Sequence, residues 1–295
     1  MTLFTPISKI VVNGTTGDDT FNFSVNQFGA PNLSPFGVEY HSNGGNDNII
    51  GTWHDDTFVL NSGHETINGN GGNDTVDYSG STAGVVVNLN QTTQHGGWAE
   101  GDQLTNIENV TGSAHDDVLL AKTTGSVINA GDGKDSIGLG LGNDVVNAGA
   151  GNDSVFGTLG GTDVVTGASG RQTYDFTITN HNFNLTITDF HPLIWQSQPP
   201  SESQALADPL HDFFRVTFFP QSGVTTDAQA DAAFVEFVGK DGQLHPFQIS
   251  GDDVTFQVHT ANVDGSITFK GAADLIPDAQ HNFTIFDHAG TSTAV

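Results

Sequence analysis

Residues Ser42–Asp77 read SNGGNDNII, GTWHDDTFV, LNSGHETIN and GNGGNDTVD when cut every nine residues. The sixth position of each block is an acid: Asp47, Asp56, Glu65 and Asp74. The eighth is apolar: Ile49, Phe58, Ile67 and Val76. Glycine tolerates positive φ and close backbone approach, so a turn rich in Gly and Asn can aim several carbonyls inward. The acid closes that turn. The next residues form a short strand whose middle side chain points to a core. Two blocks make one coil with a strand on each side. Residues two blocks apart then stand on the same side of successive coils.

The register returns at Gly112 with GSAHDDVLL, AKTTGSVIN, AGDGKDSIG, LGLGNDVVN and AGAGNDSVF. GTLGGTDVVT follows with one extra residue, then GASGRQTYD, which ends at Asp175. The turn-closing positions are Asp117, Ser126, Asp135, Asp144, Asp153, Asp163 and Gln172. An isolated copy, GTTGDDTFN at Gly14–Asn22, supplies Asp19.

Calcium takes roughly six to eight oxygen ligands, carboxylates and backbone carbonyls among them. A single turn cannot supply them all, but two turns on the same side can. The expected ligands are Asp19, Asp47, Asp56, Glu65, Asp74, Asp117, Asp135, Asp144, Asp153 and Asp163. Turn carbonyls near Gly45, Gly72, Gly133, Gly142 and Gly151 complete the set. The expected pairs are Asp47 with Glu65, Asp56 with Asp74, Asp117 with Asp135, Asp135 with Asp153, and Asp144 with Asp163. Ser126 and Gln172 are poor ligands, so their sites are expected to be weak or empty. The longer arm of Glu65 marks the first pair as another weak link.

The composition agrees. Lys plus Arg number 7 against 34 for Asp plus Glu, a formal net charge of -27. That charge opposes compaction and argues against binding nucleic acid or anionic membrane. Bound divalent cations would neutralise it. Acidic disordered chains are poor in aromatic and β-branched residues, whereas this chain has 21 Phe. Of the 34 acids, 28 are Asp, whose short arm suits a ligand held close to its own turn. A merely solvated acidic face would not keep acid and apolar residue at one offset through so many copies. The absence of Cys removes disulfides and thiolate sites. No stretch approaches a transmembrane span, and MTLFTPISKIVVNG lacks the pattern of a Sec-type leader.

The tracts GNGGNDTVD, AGDGKDSIG and AGAGNDSVF resemble the repeats-in-toxin (RTX) nonapeptide, GGxGxDxUx, of calcium-binding, hemolysin-type, type I secreted proteins. The tracts His54-Asp55-Asp56 and His115-Asp116-Asp117 depart from it by placing His where Gly is usual. The resemblance implies an all-β fold: a calcium-bound parallel β-roll or β-helix over residues 42–175, with arrays 42–77 and 112–175. A wider coil, 78–111, joins them and carries a loop around His95–Gly101. Residues 1–41 read as a cap with a Pro-containing loop, Phe23–His41.

From residue 176 the nine-residue step stops. Fourteen of the 21 Phe lie there, in runs such as FNLTITDF, FRVTFF, AAFVEFVG and SITFKG. Alternating Phe, Val and Ile with Gly-containing turns reads as an antiparallel β domain, interrupted by a loop at His191–Leu210. ITDFHP and DGSITFKGAADL resemble the C-terminal part of type I–secreted RTX proteins. That resemblance implies an export signal near the C-terminus, a three-component exporter as partner, and a secreted, extracellular product.

A structural or surface role is therefore expected: a calcium-folded layer, matrix, fibre or adhesin subunit that self-assembles. Two alternatives stand beside it. One is an effector resembling the calcium-binding nodulation-signalling protein of symbiotic bacteria. The other is a module acting on cell-surface polysaccharide. No HExxH is present, nor a GxSxG in strand-turn-helix context, so an enzyme is not expected. A lyase-like site would need Asp116, Lys122 and Lys134 to gather. The 12 His read as surface or turn residues.

Overall fold

The computed structural model describes residues 9–25, 36–179, 181–189, 213–218, 248–250, 253–259, 264–270, 284–286 and 292–294. The chain divides into two compact units: Met1–Lys122 with Ser126–Gly133, and Thr123–Gly125 with Lys134–Val295. Among the described residues there is no α-helix, only short strands and one 3-10 turn, Gly97–Ala99. Among the described residues no helix is long and apolar enough to cross a membrane.

In the first unit, the nine-residue blocks of the first array fall alternately on two parallel sheets. One contains β1 (Ile10–Asn13), β3 (Val38–His41), β5 (Thr57–Val59), β7 (Thr75–Asp77), β10 (Asn109–Thr111) and β12 (Val127–Asn129). The other contains β2 (Thr20–Asn22), β4 (Asn48–Ile50), β6 (Thr66–Asn68) and β9 (Gln103–Thr105). Ile49 pairs with Ile67 and Phe58 with Val76, two blocks apart in each case. The parallel geometry follows from the repeat, because every block runs turn to strand in the same sense.

The joining segment contributes three strands to this unit. Val86–Asn88, β8, pairs with Val118–Leu120, β11. β9 continues from β6, and β10 from β7. Val85, Val87 and Leu89 are buried on alternate positions, as their spacing predicts. The loop between β8 and β9 folds back through antiparallel bridges, Val86 with His95 and Thr93 with Gln103.

In the second unit, β13 (Ser136–Leu139), β15 (Ser154–Thr158), β17 (Thr173–Ile178) and β19 (Phe213–Phe218) form one parallel stack. A second stack holds β14 (Val145–Asn147), β16 (Gly161–Thr166), β18 (Phe183–Ile187) and β22 (Asp264–Phe269), also parallel. Only beyond β22 does the pairing turn antiparallel. β21 (Asp253–His259) joins β22, and β20 (Gln248–Ser250) joins β21. β23 (Thr284–Phe286) and β24 (Ser292–Ala294) make a separate antiparallel pair.

The expected antiparallel pairing from residue 176 is therefore corrected for β17, β18 and β19, which extend the parallel stacks. Alternation of apolar residues reports only that one face of a strand is buried, and it is the same for either direction. The loop at His191–Leu210, the run AAFVEFVG, residues 26–35 of the expected Phe23–His41 loop and part of the expected export segment lie outside the described residues; the end of that loop, Val38–His41, is corrected to strand β3, whose Val38 and Tyr40 are buried.

The eighth-position side chains line the core. Ile49, Phe58, Ile67, Val76, Leu119, Ile128, Ile137, Val146, Val155, Val165 and Tyr174 are each at most 1% exposed. Burying a side chain of this size stabilises by roughly 1.5–3 kcal/mol. The core is thus a file of single residues, one per strand, and the turns on either side carry the acids.

Candidate metal centre

The acids that close the turns are buried too. Asp47, Asp56, Glu65, Asp74, Asp117, Asp135, Asp144, Asp153 and Asp163 are all 0–1% exposed, while Asp19 is half-buried. Each of several acids accepts a hydrogen bond from the amide of the matching residue one coil earlier. Asp56 N–H donates to Asp74 Oδ1 at 2.8 Å, Asp135 N–H to Asp153 Oδ1 at 2.9 Å, and Asp144 N–H to Asp163 Oδ1 at 3.0 Å. Asp19 N–H donates to Asp47 Oδ1 at 2.9 Å. These contacts bring together three of the expected pairs and add Asp19 to Asp47. No such bond reaches Glu65 from Asp47.

A second ladder runs the other way through the fifth position. Asn46 N–H donates to Asp18 Oδ1, His64 N–H to Asn46 Oδ1, Asn73 N–H to Asp55 Oδ1, and Thr162 N–H to Asn143 Oδ1. Adjacent Asn/Asp and Asp residues thus stitch a turn to the coils on both sides. The sequence signal is the recurring dipeptide Asn-Asp or Asp-Asp, read above for its second member alone.

The acids differ in what happens to their remaining oxygen. Asp56 is closed by its own turn: Thr52 N–H reaches Oδ2 at 2.6 Å and the Thr52 hydroxyl reaches Oδ1 at 2.9 Å. Asp117 is held alike by Ser113, through its amide at 2.6 Å and its hydroxyl at 2.8 Å. Thr15 also donates its amide and its hydroxyl to Asp19, both to Oδ2. By contrast, Asp74 Oδ2, Asp163 Oδ2 and both oxygens of Glu65 are buried without a hydrogen-bond partner. A buried unpaired charge costs several kcal/mol, so these oxygens call for a proton or a cation.

Burial pushes the Asp74 carboxyl up to about 8, with the Asp56 and Glu108 charges adding to it and the Asp56 amide opposing. Burial pushes Asp163 up to about 7, against the Asp144 amide. Glu65 is raised by burial and then by Asp102 and Asp47. Asp56 and Asp117 are raised by burial as well, but bonds from Val38 and Thr52, or from Val85 and Ser113, work against it.

Two acids of the joining coil belong to these rows and were missed in the sequence. Asp102 Oδ1 accepts from Glu65 N–H at 2.8 Å, and Glu108 Oε2 accepts from Asp74 N–H at 3.0 Å. Both were legible: Asp102-Gln103-Leu104 and Glu108-Asn109-Val110 keep the offset of acid to apolar residue. Irregular spacing hid them. Lys122 bonds Glu108 Oε1 at 2.6 Å.

Ser126 and Gln172 stand in the rows without a carboxylate. The Ser126 hydroxyl accepts from Lys122 N–H at 2.9 Å. Gln172 Oε1 accepts from Asp153 N–H at 3.1 Å, as an Asp would. Its Nε2 donates to the carbonyls of Gly151, Gly167 and Ser169 at 3.2–3.4 Å. An amide donor thus occupies the carbonyl cluster that a cation would otherwise use.

The remaining donor set fits calcium. All of the candidate atoms are oxygens, which favours hard cations over zinc or copper. Among the described residues no three His, Asp or Glu side chains form one cluster, so backbone carbonyls must contribute. They are at hand. A Cβ added to Gly69 would meet the Asn106 carbonyl and Asp74 Oδ2 together. One added to Gly63 would meet the Gly45 carbonyl and, at 2.7 and 3.0 Å, both oxygens of Glu65. Glycine there leaves an oxygen-lined space that any side chain would fill. Gly72 has φ 123° and Gly45 φ 95°, which bend the turns inward as only glycine does without strain.

No curated protein matches the chain. Residues 41–64, 50–80, 111–146, 131–162 and 140–171 match the family described as RTX calcium-binding nonapeptide repeat. The repeats therefore bind calcium, several ions per chain, and the long parallel sheets are those of a β-roll. Residues 41–80 and 111–171 of this chain are thus RTX calcium-binding nonapeptide repeats.

Proposed function

We propose that the buried acid rows hold calcium at Asp47, Asp74, Asp135, Asp144, Asp153 and Asp163, and that the protein is a secreted scaffold which folds where calcium is abundant. The observation that carries this reading is that Asp74 Oδ2 and Asp163 Oδ2 are buried with no hydrogen-bond donor, in rows of like charge whose successive acids are tied amide to carboxylate. Asp19, Asp56 and Asp117 add carboxylates at the starts of the rows, and the carbonyls near Gly45, Gly72, Gly133, Gly142 and Gly151 complete the shells. Bound calcium supplies the positive charge that lets neighbouring coils approach. Ser126 and Gln172 close their positions with neutral groups and hold no ion.

The chain's own residues explain the dependence. At low calcium the rows of Asp repel, and the file of single core residues does not offset a net charge of -27. The chain then stays open and can be threaded through an exporter. Extracellular sites bind calcium at roughly 0.1–1 mM. At ten times Kd each site stabilises the fold by about 1.4 kcal/mol, and several act together. Folding outside would oppose back-sliding and give export a direction.

The role of the folded object is structural in this reading, as a layer, matrix, fibre or adhesin subunit. Among the described residues β1 is the outer strand of its sheet, and its Ile10 and Val11 are 40% and 58% exposed. An edge of that kind favours stacking on a second copy. Circular dichroism across a calcium titration tests the folding claim: a β spectrum in chelator equal to that in saturating calcium would overturn it. Negative-stain microscopy of the same samples tests assembly, with fibres or sheets expected only above the folding transition.

A further inference from the structure

Glu65 stands apart from the other acids of its row. It is fully buried, and neither carboxylate oxygen meets a donor. Its neighbours are well supplied. Asp47 takes the Asp19 amide on Oδ1 and the Tyr40 hydroxyl on Oδ2, both at 2.9 Å. Asp102, also fully buried, takes the Glu65 amide on Oδ1 at 2.8 Å and the Tyr78 hydroxyl on Oδ2 at 2.7 Å. Among the described residues no ion pair involves Asp47, Glu65 or Asp102. His64, next in the chain, points its Nδ1 at the Glu100 carbonyl, 2.7 Å away. Three buried carboxylates therefore lie in line with no cationic side chain to balance them.

We infer that Glu65 is the centre of a calcium site completed by the joining coil, with Asp102 and the Gly45 carbonyl as its further ligands. The longer arm, which marked Glu65 as a weak link, is what brings both of its oxygens to the space beside Gly63 that the Gly45 carbonyl also faces. A carboxylate offering both oxygens is a common calcium ligand. Tyr40 and Tyr78 position the flanking Asp side chains through their hydroxyls. Asp102 lies outside the residues that match the nonapeptide repeat, so the site would clamp the irregular coil onto the first array. This inference rests on the calcium reading of the repeats.

The test is calcium stoichiometry by equilibrium dialysis on the full chain. E65Q and D102N keep the size of each side chain, and Asn can still accept from the Glu65 amide. Each single variant, and the double variant, is expected to bind one ion fewer than wild type, while D163N loses an ion whether or not Glu65 is changed. Wild-type stoichiometry in E65Q and D102N, with D163N still one short, would overturn the inference and show that Glu65 and Asp102 share a proton instead. A wild-type chain that binds no calcium would overturn the underlying reading as well. Terbium gives a readout independent of folding yield: emission sensitised by tyrosine should fall in Y78F and fall equally in E65Q, and unchanged emission in both would count against the site.

Discussion

The turns Gly51–Asp56 and Gly69–Asp74 carry GTWHDD and GNGGND, occupy the same sheet edge one coil apart, and treat their acids in opposite ways. In the first, the Thr52 amide and hydroxyl together reach both oxygens of Asp56. In the second, nothing in the turn reaches Asp74 Oδ2. The difference is a hydroxyl at the second position. It recurs in Thr15–Asp19 and Ser113–Asp117. The slot before Asp56 in its row is held by Val38, and the slot before Asp117 by Val85; each offers an amide but no carboxylate. Where a row begins, a second acid is missing, and a hydroxyl in the turn stands in for the cation that two acids would share. Where the row continues, the turn is left open.

Removing calcium separates the two kinds of turn most directly. Chelation should abolish most of the β signal in circular dichroism, because every open turn loses its counter-charge at once. Retention of the full spectrum would mean that the open turns close as well without metal as Gly51–Asp56 does.

Protons offer the next largest effect. Asp74 and Asp163 have folded-state values raised from 3.8 to about 8 and about 7. A raised carboxyl favours the folded state when protonated, so its contribution is present below the unfolded value and is lost as pH rises through the folded one. Metal-free protein should therefore be more resistant to urea at pH near 4 than at pH near 8, with the loss spread between those limits. In calcium the dependence should weaken or reverse, since protons then compete with the ion.

A smaller effect separates space from charge. Gly69→Ala places a methyl between Asp74 Oδ2 and the Asn106 carbonyl. It should cost about 1–3 kcal/mol and one bound ion, read by thermal melting in calcium and by dialysis. Gly51→Ala also crowds an acid, Asp56, but should cost stability alone if that turn holds no ion of its own.

The finest test is T52V, which keeps the shape of Thr52 and removes the hydroxyl donor to Asp56. A loss of about 1 kcal/mol is expected, with calcium stoichiometry unchanged because Thr52 N–H still holds Oδ2. An extra ion in T52V would show that the hydroxyl had kept a cation out.

Much of this was legible in the chain. A fixed offset between acid and apolar residue places Asp74 beside a turn and Val76 in a core whatever surrounds them, because strand alternation is local. Asp102 and Glu108 obey the same offset, but the 37 and 34 residues that separate them from Glu65 and Asp74 conceal the pairing. The roles of Asn46, Asp55 and Asn143 are marked only by the recurring Asn-Asp or Asp-Asp dipeptide, and the amide that each one accepts from lies a coil away.

What the sequence determined by itself was the repeat unit: its turn, its acid, its core residue and hence its demand for a cation. Those follow from backbone geometry and from charge, which act over a few residues. The tertiary structure alone decided which acid meets which, that Thr52 and Ser113 satisfy theirs, that Gln172 seals its position with an amide, and that β17 and β18 run parallel beyond Asp175. Each of these depends on the path by which a coil returns to lie against the last, and that path is set by packing between segments distant in the chain.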